Sequence, residues 1–216
     1  QFGLKSIGSI RGEEIANNSI NLTLKTAQEF GMQLKFISRE QYRLKDSSEF
    51  LANLKQQYPN YYIIPEGGTN ALAIQGCNEI LSHEDVQNYD VICCAVGTGG
   101  TISGLIEARS AQQTTLGFSA LKGDFLQEEI RNFAKNNFWE LVNDYHFGGY
   151  GKVTTELIQF INDFKSETGI PLDPIYTGKM VFGVINLIHK NYFPGGSKIL
   201  MIHTGGLQGI QGMNIK

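Results

Sequence analysis

The sequence predicts an α/β fold in which parallel strands form sheets that are covered by helices on both faces, in three layers. Strand-like and helix-like segments alternate along the 216 residues. Several of the strand-like runs are apolar throughout, as strands buried on both faces are. A glycine-rich loop also joins one such run to a helix, as happens at the carboxyl edge of a parallel sheet.

The predicted strands are short runs that are either alternating or continuously apolar. Met32, Leu34 and Phe36 alternate with polar residues, whereas residues 91–95 are apolar without a break. The predicted strands cover residues 4–10, 32–36, 61–65, 91–95, 114–119, 140–145 and 198–203.

The predicted helices carry apolar residues at helical spacing and end near glycine or proline. In the first, Ile20, Leu24 and Ala27 recur along one face, and Gly31 is placed to stop the helix. The predicted helices cover residues 18–30, 48–58, 70–81, 101–108, 125–138, 154–165 and 179–189.

Composition and charge exclude several classes of protein. A net charge of -3 argues against a nucleic-acid binder, which needs a basic face. No apolar run approaches the roughly 18 residues of a membrane span. Cys77, Cys93 and Cys94 are odd in number and form no CxxC pair, so we expect buried free thiols in a reducing, cytoplasmic compartment. The scattered histidines predict no metal site.

The loop Val96-Gly97-Thr98-Gly99-Gly100-Thr101 follows the most apolar strand. A P-loop needs a lysine after its last glycine, but Thr101 and Ile102 follow here. The dinucleotide motif needs a third glycine where Ile102 stands. The remaining interpretation is a binding site for a single phosphate, in which threonine hydroxyls assist the main chain. Such a site suits a cofactor such as pyridoxal phosphate. A tight turn that binds no ligand stays an alternative.

Four stretches, in this order and spacing, resemble a known family. They are Ile-Pro-Glu-Gly-Gly-Thr-Asn-Ala-Leu (64–72), the loop at 96–101, Leu-Asp-Pro-Ile-Tyr-Thr-Gly-Lys (172–179) and Ile-His-Thr-Gly-Gly (202–206). Together they resemble the 1-aminocyclopropane-1-carboxylate (ACC) deaminase and D-cysteine desulfhydrase family of pyridoxal-phosphate enzymes, which have the fold of the tryptophan-synthase β subunit. The resemblance runs over essentially the whole chain. It implies that residues 1–66 are the remainder of a smaller domain and residues 67–216 a larger, cofactor-binding domain.

The resemblance also implies roles for individual residues. Thr177 faces the pyridine nitrogen, Thr204 lies near the pyridine edge or the substrate, and the catalytic residues Tyr150 and Tyr176 flank the substrate over the ring. The residues implied to hold the cofactor phosphate are Gly97, Thr98, Gly99, Gly100 and Thr101.

The residues themselves leave other interpretations open. Tyr150 and Tyr176 could simply pack, and His203 is interpreted as a structural histidine. We expect Lys179 to be solvated or paired with an acid. Thr69 or Asn70 is placed to cap the helix that follows.

The reaction implied is β-elimination from a D-amino acid, giving pyruvate, ammonia and sulfide. With a hydroxyl such as that of Thr177 beside its nitrogen, the cofactor ring withdraws electrons less strongly than it does beside a carboxylate. The weaker withdrawal is sufficient when the leaving group is a good one, such as thiolate. ACC deaminases of this family have Glu and Leu where Thr177 and Thr204 stand. Hydrolytic opening of ACC to 2-oxobutyrate is the runner-up, and a catalytically dead protein that binds pyridoxal phosphate or another phosphate metabolite is a third candidate.

The resemblance implies a Schiff-base lysine in a Gly-Asn-Lys segment, followed by a Ser-Asn-His segment. Neither occurs here, and both would precede the first predicted strand. We therefore expect an upstream segment in the natural protein, with a degraded or split form as the alternative. The resemblance further implies a homodimer.

Overall fold

A computed structural model describes residues 3–16 and 20–210 of the chain. The chain forms two compact units, residues 1–64 and 65–216. The assignment of a smaller domain and a larger, cofactor-binding domain stays a prediction. Within the described ranges, no helix is both long enough and apolar enough to cross a membrane.

In its described residues, the first unit contains a two-stranded parallel sheet, in which Ile7 lies opposite Gln33, and three α-helices. The helix after the second strand was not predicted, because its five residues are too few to show a period; Ser38 and Gln41 cap it reciprocally. The elements are β1 (Ile7–Arg11), α1 (Leu22–Glu29), β2 (Gln33–Ile37), α2 (Arg39–Arg43) and α3 (Ser48–Gln57).

Helix α1 is shorter than the sequence predicts. The side chain of Asn21 accepts a hydrogen bond from the backbone N–H of Leu24 at 2.9 Å, so the helix begins at Leu22. Of the predicted first turn, residues 18 and 19 lie outside the described residues. Gly31 has a φ of +90°, as the predicted glycine stop requires.

The strand predicted over residues 61–65 is wrong. This segment pairs with no strand of the described chain, and Tyr61, Tyr62, Ile63 and Ile64 are exposed. Aromatic and β-branched residues favour a strand only where a neighbouring strand supplies hydrogen bonds and cover, so local composition misled the prediction here.

As far as residue 210, where the described part ends, the second unit contains a four-stranded parallel sheet with the order β5-β4-β3-β6. The strands are β3 (Val91–Val96), β4 (Thr114–Ser119), β5 (Trp139–Val142) and β6 (Ile199–Ile202). The helices are α4 (Ala71–Cys77), α5 (His83–Asn88), α6 (Gly100–Ala108), α7 (Phe125–Phe133), α8 (Thr155–Thr168) and α9 (Thr177–His189).

The central strand β3 separates two apolar cores. Val91, Cys93 and Ala95 pack into one core with α8 and α9, whereas Ile92, Cys94 and Val96 pack into the other with α6 and α7. This alternation is the period-two geometry of a strand covered on both faces. It confirms the predicted α/β class for this unit.

Several predicted boundaries shift because local hydrogen bonds end the elements early. The helix predicted over 125–138 ends at Phe133, since Asn136 accepts the N–H of Phe138 in a turn. The helix predicted over 70–81 ends at Cys77 and continues as the 3₁₀ turn Asn78–Ile80. Helix α5 was not predicted; Ser82 caps it.

The thiols of Cys93 and Cys94 are free and buried, as the sequence predicts. Cys77 is also free but only half-buried. Burial raises the pKa of the Cys94 thiol to about 12 and raises that of Cys93 as well. These thiols are therefore protonated packing groups and not nucleophiles.

The strand order places a topological switch point between β3 and β6. The chain passes from β3 to β4 and β5 on one side, then returns to β6 on the other side of β3. Because all four strands are parallel, the loops that follow β3 and β6 meet at the carboxyl edge of the sheet. Open α/β sheets bind their ligands at this place.

Candidate functional site

The glycine loop at 97–99 turns β3 into α6. Gly99 has a φ of +88° at the N-cap position, a left-handed conformation that glycine adopts without strain. The first helical hydrogen bond runs from Ser103 N–H to the carbonyl of Gly99 at 3.0 Å. The amides of Gly100, Thr101 and Ile102 therefore point out of the helix N-terminus without an intrahelical acceptor.

A second glycine turn, Glu66–Gly68, packs directly onto this loop. The hydroxyls of Thr69 and Thr98 are 2.6 Å apart. Gly67 has a φ of +75°, and a Cβ there would come within 2.4 Å of Thr98 Cγ2. A Cβ on Gly100 would come within 2.9 Å of Thr69 Oγ1. Glycine at both positions is what lets the two turns approach this closely.

Two tyrosines stand beside the glycine loop. A Cβ on Gly97 would lie 3.1 Å from Cε1 of Tyr176, so that ring is seated against bare backbone. The rings of Tyr150 and Tyr176 are 6.1 Å apart between centroids at an angle of 62°, and Tyr150 is 60% exposed. Burial raises the pKa of Tyr176, and its interaction with the neighbouring Tyr150 phenol raises it further. The Tyr176 phenol is thus a hydrogen-bond donor at neutral pH.

Asp173 organises the start of α9 from a fully buried position. Its Oδ1 accepts the N–H groups of Ile175 and Tyr176, each at 2.8 Å. Its Oδ2 accepts the N–H of Thr177 at 2.8 Å and the Thr177 hydroxyl at 2.6 Å. The Asp173 N–H donates back to Thr177 Oγ1 at 3.0 Å. This cap begins the helix at Thr177, two residues before the predicted start.

The prediction for Lys179 is wrong. This lysine is not solvated, and it forms no ion pair with an acid of the described residues: it is 1% exposed, and its Nζ donates to the carbonyl of His146 at 2.8 Å and to that of Gly149 at 2.9 Å. Burial lowers its pKa to about 8, and the negative charge of Asp173 opposes this shift. Local charge patterning failed because it ignores how apolar α9 is around this residue.

The loop after β6 closes the site from the other side. A Cβ on Gly206 would lie 3.3 Å from the Asp173 carboxyl group. His203 donates from Nε2 to the carbonyl of Pro171 at 2.9 Å and accepts the N–H of Gly205 on Nδ1 at 3.1 Å. Both ring nitrogens are occupied by backbone groups, which supports the structural interpretation of His203. Thr204 is exposed.

The structure thus places the residues singled out in the sequence around one edge of the sheet. Gly97 adjoins Tyr176, Tyr176 adjoins Tyr150, and Thr177 follows Tyr176 on α9. Asn70, not Thr69, caps α4 by accepting the N–H of Ala73 at 2.9 Å.

Sequence reasoning missed the contributions of Asp173, Lys179 and Thr69 to this site. One signal was available for Lys179, which stands in the otherwise apolar helix segment Thr-Gly-Lys-Met-Val-Phe-Gly-Val. A lysine in such a helix has to find buried acceptors. No comparable local pattern identifies the Thr69 contact, because its partner is 29 residues away.

Comparison with known proteins points to one family. The family model described as "Pyridoxal-phosphate dependent enzyme" matches residues 15–205. A putative ACC deaminase from Pyrococcus horikoshii is 30% identical over 97% of this chain, which spans 68% of that relative. A bifunctional D-cysteine desulfhydrase/ACC deaminase from Arabidopsis thaliana, named as mitochondrial, is 34% identical over 83% of this chain and 51% of its own length.

Solved structures agree on the fold. The crystal structure of an ACC deaminase homologue superposes with a TM-score of 0.81 at 30% identity, covering 96% of this chain and 68% of that one. Serine racemase from Dictyostelium discoideum superposes with a TM-score of 0.64 at 14% identity, covering 94% and 69%. At that identity the second likeness concerns the fold alone.

Proposed function

Because the chain belongs to the pyridoxal-phosphate dependent enzyme family, we propose that it acts as a lyase on a small D-amino acid by β-elimination. D-cysteine and water then give pyruvate, ammonia and sulfide. The family membership confirms the resemblance inferred from the sequence and, with it, the cofactor and the enzyme class. The reaction, the substrate and the roles of single residues are the proposal.

The glycine loop fits the phosphate of the cofactor. The free amides at the start of α6 and the positive end of its dipole suit a dianion. Glycine at 97 and 100 lets Tyr176 and Thr69 lie close to this backbone, since a Cβ at either position would press on those side chains. We assign the phosphate to the main chain of residues 97–101, that is Gly97, Thr98, Gly99, Gly100 and Thr101, with the Thr98 hydroxyl held ready by Thr69.

Thr177 is assigned to the pyridine nitrogen. Its hydroxyl proton goes to Asp173, and one of its lone pairs takes the Asp173 N–H, so one lone pair remains for the ring. Thr177 thereby offers the ring an acceptor that carries no formal charge. Such a neutral acceptor stabilises a ring proton less than a carboxylate does.

The tyrosines are assigned to the substrate. Tyr176 is seated against Gly97 and keeps its proton, so it orients the substrate as a hydrogen-bond donor. Tyr150 is exposed beside it and is assigned to cover the substrate from the solvent side. Thr204, in the exposed loop after β6, is assigned to contact with the substrate or the ring edge.

The single observation that carries the choice of reaction is the hydroxyl of Thr177 at the start of α9. When bound, pyridoxal phosphate withdraws electrons from the bond that breaks at the substrate Cα. A neutral partner makes that withdrawal weaker than a carboxylate would. Expulsion of thiolate requires less electron withdrawal than the opening of a cyclopropane ring. We therefore prefer β-elimination to ACC deamination as the reaction of this protein.

Assays on the complete protein test this order. We expect it to be yellow with pyridoxal phosphate, to lose that colour on borohydride reduction with a label on one lysine, and to form pyruvate from D-cysteine. The variant Thr204→Leu changes an exposed residue towards the deaminase pattern, and we expect it to lower the D-cysteine rate relative to the ACC rate. Formation of 2-oxobutyrate from ACC by the wild type, without pyruvate from D-cysteine, would reverse the assignment in favour of the hydrolytic deaminase.

A catalytically dead binder is the remaining candidate, and it makes a separate prediction. Pyridoxal phosphate would then raise the melting temperature without a borohydride-fixed label. We further propose a cytoplasmic location, consistent with the buried free thiols Cys93 and Cys94. The homodimer that the resemblance implies is also proposed. Light scattering of the complete protein and cell fractionation test these two assignments.

A further inference from the structure

We propose that Lys179 is a positioning residue that fixes the loop of residues 146–151 and thereby holds Tyr150 against Tyr176. In so far as Tyr150 covers the substrate, this inference rests on the proposed function. The anchoring of the loop itself stands on contacts that no ligand is needed to explain.

The first support is the hydrogen bonding of the ammonium group. Nζ of Lys179 reaches the carbonyl of His146 at 2.8 Å and that of Gly149 at 2.9 Å. The two acceptors bracket the turn, and the second immediately precedes Tyr150. With the lysine 1% exposed, these bonds lie out of the reach of bulk water and lose little to solvent competition.

The second support is the strained shape of the loop. Phe147 has a φ of +52°, which is costly for a residue with a side chain, and Gly148, Gly149 and Gly151 also have positive φ. Such a backbone persists only where its surroundings hold it. Phe147 packs edge-on against Phe182 of α9 at 5.0 Å, and Lys179 holds the carbonyls on either side of it.

The third support is the position of Lys179 on α9. It stands two residues after Thr177 and three after Tyr176, in the turn that Asp173 caps. The same rigid helix start therefore carries one tyrosine directly and holds the loop of the other tyrosine through Lys179. The two rings, 6.1 Å apart, are fixed to one element.

Amide hydrogen exchange on the complete protein, with and without added pyridoxal phosphate, tests the anchor. In Lys179→Met we expect exchange of peptides covering residues 146–152 to become about tenfold faster, while the rest of α9 changes little. Lys135→Met is the matched control, since Lys135 is an exposed lysine after α7 and its loss changes the charge equally. Unchanged exchange at 146–152, or an equal increase throughout the second unit, would overturn the proposal.

Kinetics distinguishes positioning from plain stability. We expect Lys179→Met to raise the KM for the amino acid about tenfold, with a much smaller change in kcat and in cofactor affinity. In a Tyr150→Ala background the same substitution should raise KM little further, because its target is gone. An equal effect of Lys179→Met with and without Tyr150 would contradict the proposal.

The outcomes separate this inference from the proposed function. A wild type that binds no cofactor and releases no keto acid refutes the proposed function, and the exchange experiment still decides the anchor. If Lys179→Met does not fold, the wild type gives the answer: the amides of Gly149 and Lys152, both bonded within the loop, should be as protected as the first turn of α9. Exchange there about a hundredfold faster than in α9 would overturn the anchor.

Discussion

The hydroxyl of Thr177 lies 2.6 Å from Oδ2 of Asp173, and both residues are fully buried. The same carboxyl group also accepts three backbone N–H groups at the start of α9. One acidic side chain therefore caps the helix, orients the hydroxyl assigned to the pyridine nitrogen, and fixes the backbone of Tyr176.

Replacing this carboxylate should be costly. Asp173→Asn turns one acceptor atom into a donor that faces N–H groups, so we expect a loss of about 2–4 kcal/mol in the free energy of unfolding. Asp144→Asn, at an exposed position, is the control and should change it by less than about 0.5 kcal/mol. Urea denaturation measures both. Equal stabilities of the two variants would show that Asp173 does not organise the helix start.

Because the two glycine turns pack closely, adding one methyl group at Gly67 should destabilise the protein, whereas adding one at Gly76 should not. Gly67→Ala combines a φ of +75° with a contact of 2.4 Å to Thr98, so we expect a loss of at least about 1 kcal/mol and weaker cofactor binding. Gly76→Ala is the control: it lies inside α4 with open space around it and should be neutral or slightly stabilising. Denaturation and cofactor titration check the pair, and a harmless Gly67→Ala would refute the contact.

The buried amine of Lys179 predicts a dependence of stability on pH. Its pKa falls from 10.5 to about 8 on folding, so the unfolded state binds more protons between these values. The free energy of unfolding contributed by this group therefore rises as the pH rises through about 8 to 10.5. We expect the stability of the wild type relative to Lys179→Met to increase from pH 7 to pH 10, measured by urea denaturation. A difference that is constant or falls over this range would contradict the burial of a charged amine.

The three thiols should differ in their reactivity towards a thiol reagent, because they differ in solvent accessibility. Cys93 and Cys94 are buried with raised pKa values, whereas Cys77 is half-buried on α4. Native protein should react with a thiol reagent at Cys77 alone among these three, and the other two should react only after unfolding. Mass spectrometry of the labelled peptides reports this. Rapid native labelling of Cys93 would be incompatible with the two-sided sheet.

Much of the fold could be predicted because its signals are local. The apolar run of β3, the glycine loop and the start of α6 occur in one continuous stretch, and the structure places them as predicted. Strand β4 matches its predicted range, residues 114–119. The strand predicted over 61–65 failed because strand formation depends on a partner elsewhere in the chain.

The site residues, like the fold, could be predicted only where the signal is local in the sequence. The motifs that name Gly97, Tyr176 and Thr177 could be read in the sequence, since each lies within a few residues of its element boundary. The hydrogen bonds from Lys179 to His146 and Gly149 span 33 and 30 positions and depend on burial that no local pattern encodes. Charge alone suggested a solvated lysine, and the apolar environment of α9 overrode it.

The most direct test of the central claim is a crystal structure of the complete protein with pyridoxal phosphate. The proposed function predicts the phosphate within about 3 Å of the main-chain amides of residues 97–101, at the N-terminus of α6. Cofactor bound with its phosphate elsewhere, or a glycine loop filled by packed side chains in crystals that contain the cofactor, would contradict it.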